Sequence, residues 1–280
     1  MLKLMYITNR PEIAQIAETA GVDRIFVDME FIGKDERQKG LDTVKSHHRV
    51  EDVVNIKAAL EKAELLVRIN PIHEALRDYP ASREEIDATV AAGADIIMLP
   101  FFKTPEEVGR FLDMVRGRAR TMLLLETPEA VACLDEILKL PGIDEVHIGL
   151  NDLSLGYRRK FMFELLADGT VERLCFQLRQ KGVFYGFGGI ASLGKGALPS
   201  EYIIREHYRL GSGCAILSRS FCDVTKVRHI GIINAMFLQG VREIRELEAE
   251  CQRHAAFFWE NDSQLREKVA EVLRELEAWS

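Results

Sequence analysis

Short runs of apolar and β-branched residues recur along the first 220 residues, and each run is followed by a stretch with helical spacing of its apolar positions. Runs that stay apolar at consecutive positions are typical of strands covered on both faces, and helical connections between strands impose parallel pairing. The pattern predicts eight strands, at 4–7, 24–30, 65–70, 95–100, 121–126, 145–150, 183–190 and 214–219. Eight strand–helix units are the number found in a (β/α)8 barrel.

Two folds are consistent with this alternation of strands and helices. An open, doubly wound sheet alternates in the same way, because alternation does not by itself show that a sheet closes. No glycine-rich dinucleotide-binding turn follows the first strand, and eight units come one after another. These features favour an α/β protein with a (β/α)8 TIM barrel over residues 1–225.

The pattern is helical throughout after about residue 225. Segment 241–280 places apolar residues at helical spacing and contains more acidic than basic residues. We predict that 226–280 form extra C-terminal helices, which pack on the barrel or on a neighbouring subunit, and we expect a homo-oligomer. The polar residues Asn261-Asp262-Ser263 are expected to separate two helices within this extension.

Composition and charge narrow the class of partner. Of the 280 residues, 47% are hydrophobic and 29% are charged, with 37 Lys+Arg against 44 Asp+Glu and a formal net charge of −7. This usage is ordinary for a globular protein with a sizeable core, and no basic cluster suits nucleic acid. No apolar run approaches the roughly 18 residues that cross a bilayer, and the five cysteines form no CxxC pair. We therefore expect a cytoplasmic protein with no nucleic-acid and no membrane partner.

Two acidic residues lie at the predicted carboxyl ends of neighbouring strands. Glu126 is the last residue of the fifth run, and Asp152 follows the sixth. Two carboxylates at this rim of a barrel could hold one divalent cation, Mg²⁺ or Mn²⁺, and leave positions for water or a substrate. Spacing alone supports a structural interpretation almost equally well, in which Asp152 caps a turn and Glu126 pairs with an arginine.

Arg68 is a charged residue within a strand that is otherwise apolar. Burial of an unpaired guanidinium is costly, so Arg68 needs an anionic partner. A substrate carboxylate or a developing enolate would serve, and so would a structural ion pair. Asp28 and Glu30 share one face at the end of the second strand, where barrels place catalytic residues, and they are the alternative partners. Asn70 shares the face of Arg68.

Several of these residues belong to motifs that occur in a fixed order. The motifs are VDME at 27–30, VRIN at 67–70, GADIIMLP at 93–100, LLLETPEAV at 123–131 and GIDEVHIGLNDLSLG at 142–156. In this combination the chain resembles the HpcH/HpaI aldolase and citrate lyase β-subunit family, over roughly residues 20–220. The resemblance implies a metal-dependent carbon–carbon lyase on a (β/α)8 barrel, acting on a 2-oxo acid or on a CoA thioester.

The resemblance also implies roles for individual residues. Glu126 and Asp152 would be the ligands of Mg²⁺, Mn²⁺ or another divalent cation. Arg68 would contact the bound 2-oxo acid and stabilise its enolate, and backbone N–H groups around Gly149, Leu150 and Asn151 would bind its carboxylate. The small-molecule partners would be a 2-oxo acid and an aldehyde, or an acyl-CoA.

One position departs from the family pattern. Pyruvate-type members usually have a histidine directly after the acid of the second strand, where this chain has Phe31. The general base is therefore unassigned, and His47 and His48, in the long polar connection 31–49, are candidates because histidine titrates near neutral pH. The CoA-ester branch tends to have an acid, a lysine and an arginine here, which Glu30, Lys34 and Arg37 resemble only loosely.

Three functions are left open by the sequence. The first is a metal-dependent aldolase or lyase that forms a pyruvate-like enolate, and the second is a CoA-thioester lyase of the citrate lyase β-subunit type. The third is a barrel without catalysis that serves as a binding or assembly protein, which Phe31 supports. The joint presence of Glu126, Asp152 and Arg68 favours an enzyme.

Overall fold

The computed structural model describes residues 1–33, 48–253 and 257–278. Within them, eight strands pair in parallel in chain order, and the last pairs with the first, so the sheet is a closed barrel. The strands are β1 Lys3–Ile7, β2 Arg24–Asp28, β3 Glu64–Arg68, β4 Ile96–Leu99, β5 Arg120–Leu125, β6 Glu145–Ile148, β7 Phe184–Ile190 and β8 Cys214–Leu217. The prediction of a (β/α)8 TIM barrel is confirmed.

Helices connect the strands and continue beyond the last one. In the described part of the chain they are α1 Pro11–Thr19, α2 Val50–Ala59, α3 Ser82–Ala91, α4 Pro105–Val115, α5 Pro128–Ala132, α6 Leu134–Ile137, α7 Leu150–Gly156, α8 Glu164–Ala167, α9 Thr170–Gln180, α10 Ser200–Leu210, α11 Ile230–Arg253 and α12 Phe257–Ala278. Across the described ranges, no helix is both long enough and apolar enough to span a membrane.

The apolar residues form two separate cores, as the alternation of side chains along a strand requires. Side chains that point outward from the barrel pack against the surrounding helices in one large cluster. Side chains that point inward form a smaller cluster inside the barrel, which contains Met5, Phe26, Leu66, Ile96, Met98, Met122, Leu124 and Cys214. The inner cluster fills the middle of the barrel and supports the residues above it at the C-terminal ends of the strands.

A group of ion pairs fills the opposite, N-terminal end of the barrel. Arg24 is fully buried, and its Nη1 and Nη2 donate to the two carboxylate oxygens of Glu145 at 2.6 and 2.7 Å. Its Nε donates to Glu64 at 2.8 Å, and Arg120 contacts both acids. Each of these four residues is the first residue of a strand, so their side chains close this end of the barrel.

The two C-terminal helices pack on the barrel's outer helices. Helix α11 contacts α1 and α10, and Arg245 on α11 donates to Asp23 Oδ2 at 2.9 Å. The extra C-terminal helices were predicted, but the break between them was placed wrongly. Asn261 lies inside α12, where it is buried and its Nδ2 donates to the Tyr202 carbonyl and to Glu206 Oε1. A buried partner therefore accounts for a polar residue that looked like a helix end.

Candidate active site

A cavity of about 250 Å³ lies at the C-terminal ends of the strands. It brings together the predicted metal ligands Glu126 and Asp152, the predicted substrate ligand Arg68 and the backbone of 149–151. The full lining is Ile7, Phe26, Arg68, Leu124, Glu126, His147, Gly149, Leu150, Asn151, Asp152, Met162, Gly188, Gly189, Ile216 and Ser218. Residues distant in sequence thus surround one space, on the face where barrel enzymes build their active sites.

Glu126 follows directly after β5 and is only 4% exposed. Its Oε1 accepts a hydrogen bond of 3.0 Å from the backbone N–H of Phe101, two residues beyond the end of β4. Phe101 has a φ of +49°, in the left-handed region that costs a non-glycine residue about 1 kcal/mol. The structure therefore keeps a strained backbone residue in contact with this carboxylate.

Gly149 lies against the same carboxylate from the β6 side. A Cβ at this position would lie 2.9 Å from Glu126 Oε2 and 2.9 Å from Glu126 Cβ, closer than real contacts allow. The Gly149 N–H donates to the Leu125 carbonyl at 3.0 Å, which fixes the approach of the two segments. Only glycine fits here, and its missing side chain keeps space beside Oε2.

Asp152 lies in the first turn of α7 and is partly exposed. Asn151 Nδ2 donates to its Oδ1 at 3.0 Å. Asp152 and Glu126 also line an adjoining cavity of about 400 Å³, together with Phe101, Lys103, Thr127, Pro128, Glu129, Leu155 and Gly156. The two carboxylates therefore lie at the boundary between two cavities.

The donor set and the space around it fit a hard divalent cation. In the described ranges, no three His, Cys, Asp or Glu side chains are grouped so that they could hold a metal. Two carboxylates at a cavity are nevertheless the usual protein contribution to a Mg²⁺ site, because Mg²⁺ keeps several water molecules. The space that Gly149 leaves beside Glu126 Oε2 suits such an ion.

Arg68 is the last residue of β3 and is held by two carboxylates while it lines the cavity. Its Nε and Nη2 donate to Asp28 Oδ1 and Oδ2, each at 2.8 Å, and its Nη1 lies 3.3 Å from Glu30 Oε2. Burial alone would lower the pKa of Arg68, but the charges of Asp28 and Glu30 raise it well above its ordinary value. Arg68 is therefore a permanent cation, and the ion pair weighed from the sequence is present.

Asp28 and Glu30 lie behind Arg68 rather than in the cavity lining. Both are almost fully buried, and β2 ends at Asp28, so Glu30 lies beyond the strand and not at its end as predicted. Their contacts show two acids that orient the guanidinium. A direct catalytic role for either one stays a prediction.

The histidine candidates are not brought into the lining of this cavity by the described structure. His48 Nδ1 accepts a hydrogen bond of 3.0 Å from the Asp28 N–H, which places its ring proton on Nε2. His48 and Phe31 line a different cavity, where the Phe31 ring stacks edge-on against Tyr79 at 4.8 Å. His47 lies outside the described residues, as do Lys34 and Arg37.

His147 lines the cavity and was not singled out from the sequence. Its Nε2 lies 3.2 Å from the Gly188 carbonyl, and its Nδ1 lies 3.8 Å from Cys214 Sγ. Burial lowers the pKa of His147 to about 4, so the ring is neutral at pH 7. The signal was present in β6, where Glu145 and His147 are two polar residues on the inward face of an apolar strand.

The fold and the site define the class of protein as a (β/α)8 barrel with the cavity and charged residues of an enzyme. Comparison with protein families then identifies the relationship. The HpcH/HpaI aldolase/citrate lyase family model matches residues 3–185, which is more than half of the chain. The chain belongs to the HpcH/HpaI aldolase/citrate lyase family, and the resemblance seen in its motifs is confirmed.

Solved structures share this fold. The HpcH/HpaI aldolase from Desulfitobacterium hafniense DCB-2 superimposes with a TM-score of 0.56 at 18% identity, over 78% of this chain and 86% of that one. An HpcH/HpaI aldolase/citrate lyase family protein from Burkholderia cenocepacia J2315 gives 0.57 at 16% identity, over 87% and 95%. At such low identities the likeness shows the architecture alone.

A curated relative matches a shorter segment. It is a pyruvate kinase from Methylorubrum extorquens, 36% identical over 73 residues. The match covers 26% of this chain and 15% of the pyruvate kinase, so the chain corresponds to a small part of that enzyme's length.

Proposed function

We propose that the protein is a divalent-metal-dependent carbon–carbon lyase, or aldolase, that acts on a 2-oxo acid. The observation that carries this proposal is the single cavity lined by Glu126, Asp152, Arg68 and the backbone of 149–151. Membership of an aldolase and citrate lyase family supports the type of reaction. The partial likeness to a pyruvate kinase supports a substrate of the 2-oxo acid class, since pyruvate is one.

Glu126 and Asp152 would hold the cation through carboxylate oxygens. When bound, a divalent cation polarises the keto oxygen of the substrate and so favours formation of the enolate. The hydrogen bond from Phe101 N–H fixes Glu126 Oε1, and Gly149 leaves room beside Oε2. The Glu126 carboxylate would therefore already be oriented for a cation in the metal-free protein.

The start of α7 supplies the groups that would bind the substrate carboxylate. Leu150 and Asn151 lie in the first turn of this helix, and N–H groups in a first turn have no partner within the helix. Both residues line the cavity. A carboxylate held there would place the rest of a 2-oxo acid between Asp152 and Arg68.

Arg68 would stabilise the negative charge that develops when the carbon–carbon bond breaks. A preorganised charge at that position is worth more inside a partly buried cavity than in water. The paired contacts with Asp28 and Glu30 fix the orientation of the guanidinium. Because its pKa is raised, Arg68 keeps its proton and acts as an electrostatic group rather than as a base.

The adjoining cavity favours a second substrate next to the metal ligands. It is larger, at about 400 Å³, and its walls include Phe101 and Leu155 with Lys103 at the edge. An aldehyde would fit this space, and so would the acyl end of a CoA thioester, so the CoA-thioester lyase is the second candidate. A homo-oligomer and a cytoplasmic location stay predictions.

The test compares two double variants with the same change of charge. We expect Glu126→Gln with Asp152→Asn to abolish calorimetric binding of Mn²⁺, together with the Mn²⁺-dependent exchange of pyruvate methyl protons into D₂O, because both ligands lose their charge. Glu136→Gln with Asp135→Asn is the control, since both residues are exposed on helix α6.

The control should bind Mn²⁺ and catalyse exchange like the wild type. Undiminished Mn²⁺ binding by the Glu126/Asp152 variant would remove the metal site. Exchange that EDTA does not affect would remove the metal dependence. Cleavage of an acyl-CoA without any exchange of pyruvate protons would favour the thioester lyase instead.

A further inference from the structure

The backbone that follows β2 is held by hydrogen bonds at each of five consecutive positions. Residues 28–32 carry the two acids that hold Arg68. Each backbone N–H in this segment donates to an acceptor in the described structure, four times outside the segment and once, from Glu30, to Asp28 within it. The acceptors are, in order, His48 Nδ1, the Arg68 carbonyl, Asp28 Oδ1 and, twice, Asn70 Oδ1.

Asn70 is the residue that fixes the end of this segment. It is fully buried two residues after Arg68, and its Oδ1 accepts from Phe31 N–H at 2.9 Å and Ile32 N–H at 3.0 Å. Its Nδ2 lies 3.4 Å from the Met29 carbonyl. One amide side chain therefore determines where the backbone runs directly after Glu30.

Glu85, on helix α3, fixes Asn70 in turn. Its Oε1 accepts from the Asn70 backbone N–H at 3.1 Å, from Asn70 Nδ2 at 2.8 Å and from the Tyr79 hydroxyl at 2.9 Å. The bond from Nδ2 sets the orientation of the side-chain amide, because it requires the NH₂ group to face Glu85 and so leaves Oδ1 to face residues 31 and 32. We call Asn70, Tyr79 and Glu85 the Glu85 cluster.

The contacts of Glu85 use one of its oxygens as a hydrogen-bond acceptor and do not depend on its negative charge. Glu85 is 1% exposed, and its Oε2 has no hydrogen-bond partner among the described residues. Burial raises the pKa of Glu85. The geometry uses one oxygen as an acceptor and makes no use of the second, so an uncharged side chain with the same acceptor would serve.

We propose that Glu85 is a positioning residue of the active site, which acts through Asn70 and the backbone of 28–32 to hold Asp28 and Glu30 against Arg68. The consequence for catalysis rests on the proposed function, because Arg68 is the group that would stabilise the enolate. The contacts run without a gap from Glu85 Oε1 through the Asn70 amide to the segment that carries both acids.

The first experiment measures the contacts themselves. Hydrogen exchange at the backbone amides of Phe31 and Ile32 is compared for wild type, Glu85→Leu and Glu85→Gln. We expect both amides to exchange faster in Glu85→Leu, because Asn70 loses the acceptor that orients it. Glu85→Gln retains an oxygen for Asn70 and should keep the wild-type protection. Glu84→Leu is the control, since Glu84 is exposed on the same helix.

The second experiment measures the reaction of the metal-loaded protein. We expect Glu85→Leu to lower kcat by about 10- to 100-fold, the range for removing a residue that orients a site ligand, with a smaller change in the KM of the 2-oxo acid. Glu85→Gln should restore kcat. The double variant Asn70→Ala with Glu85→Leu should lose no more than Asn70→Ala alone, because residues that act in one chain are not additive.

Wild-type protection of both amides in folded Glu85→Leu would overturn the proposal, as would equal loss of kcat in the Leu and Gln variants. Should Glu85→Leu fail to fold, Glu85→Asp keeps a buried carboxylate but withdraws it from Asn70 by one methylene. Faster amide exchange in Glu85→Asp supports the proposal, and unchanged exchange overturns it. A wild type without metal-dependent chemistry would refute the proposed function, while the amide measurement would still test the positioning.

Discussion

At the scale of single residues, the site depends on the close packing of other segments around Glu126. The Glu126 carboxylate lies between two residues: Phe101, whose backbone has a left-handed φ and whose N–H donates to it, and Gly149, which has no side chain. Neither contact involves residues near Glu126 in sequence. The carboxylate is therefore confined from two sides, and a small steric change at Gly149 should act on it directly.

Gly149→Ala tests that confinement. The added Cβ would lie 2.9 Å from Glu126 Oε2, so the carboxylate must move or the backbone must shift. We expect a loss of about 1 to 3 kcal/mol in stability, as for other overpacked positions, and at least a tenfold weaker affinity for Mn²⁺ by calorimetry, equivalent to about 1.4 kcal/mol.

Gly109→Ala is the matched control for that variant. Gly109 lies inside helix α4, where a Cβ would meet nothing within 4 Å. Alanine should stabilise this helix by about 0.5 to 1 kcal/mol without a change in Mn²⁺ affinity. Equal Mn²⁺ affinity in both variants would show that Gly149 has no part in the site.

The sequence was a good guide to which charged residues line one cavity, and a poor guide to their contacts. The common position of Glu126, Asp152 and Arg68 could be predicted because strand ends converge at one rim of a barrel. The contacts of His147 and the orientation of the Phe31 ring could not, because each depends on partners in other units, Gly188 and Tyr79. A side chain's direction past a strand end is set by such distant contacts.

At the scale of elements, the strands could be predicted better than their connections. Strands covered on both faces carry an unbroken apolar signal, and all eight were found with ends that differ by no more than two residues. The connection 151–169 begins within helix α7 and contains α8, and helices this short leave little periodicity to detect in a sequence. Helix α10 packs on the barrel through a pair of stacked rings. The His207 ring lies parallel to the Phe187 ring of β7, with the ring centroids 3.8 Å apart.

His207 makes the packing of α10 on the barrel sensitive to acid. Burial lowers the pKa of His207 to about 3, and its Nε2 has no hydrogen-bond partner in the described structure. Below about pH 6.5, His207 binds a proton in the unfolded chain but stays neutral in the folded chain. The free energy of unfolding therefore falls as the pH decreases. We expect this histidine to lower the free energy of unfolding by about 2 kcal/mol when the pH falls from 7 to 5.

The measurement is urea unfolding at several pH values. His207→Gln should reduce the loss of stability between pH 7 and pH 5, whatever its effect at pH 7. His229→Gln is the control, because His229 is exposed before α11 and its ring meets water in both states. An unchanged pH dependence in His207→Gln would contradict the assignment.

At the scale of the whole molecule, the two ends of the barrel divide stability from chemistry. The N-terminal end holds buried ion pairs around Arg24 and Glu145, whereas the C-terminal end holds the cavity with Arg68, Glu126 and Asp152. The apolar cluster inside the barrel separates them. Changes at the first end should therefore alter folding without altering the site.

Glu145→Leu tests this division. Removal of Glu145 leaves Nη1 and Nη2 of the buried Arg24 without their acceptors, and Glu64 remains as a partner only at Nε. The expected loss is therefore at most the roughly 3 to 5 kcal/mol that a buried charge costs when it is left without any partner. Chemical denaturation should show that loss, while the remaining folded protein binds Mn²⁺ as the wild type does. The double variant Arg24→Met with Glu145→Leu should recover part of the stability, because the buried guanidinium is then absent and Glu64 keeps Arg120 as a partner. A double variant no more stable than the single one would contradict this account.

The filled N-terminal end also governs how molecules travel. In the described residues, ion pairs and packed apolar side chains, several of them methionines, lie beneath the cavity. Under the proposed function, a substrate would therefore enter, and both products would leave, at the C-terminal ends of the strands. If the two products leave by this one route, the outer product has to leave before the deeper one, so the shape of the barrel would order their release.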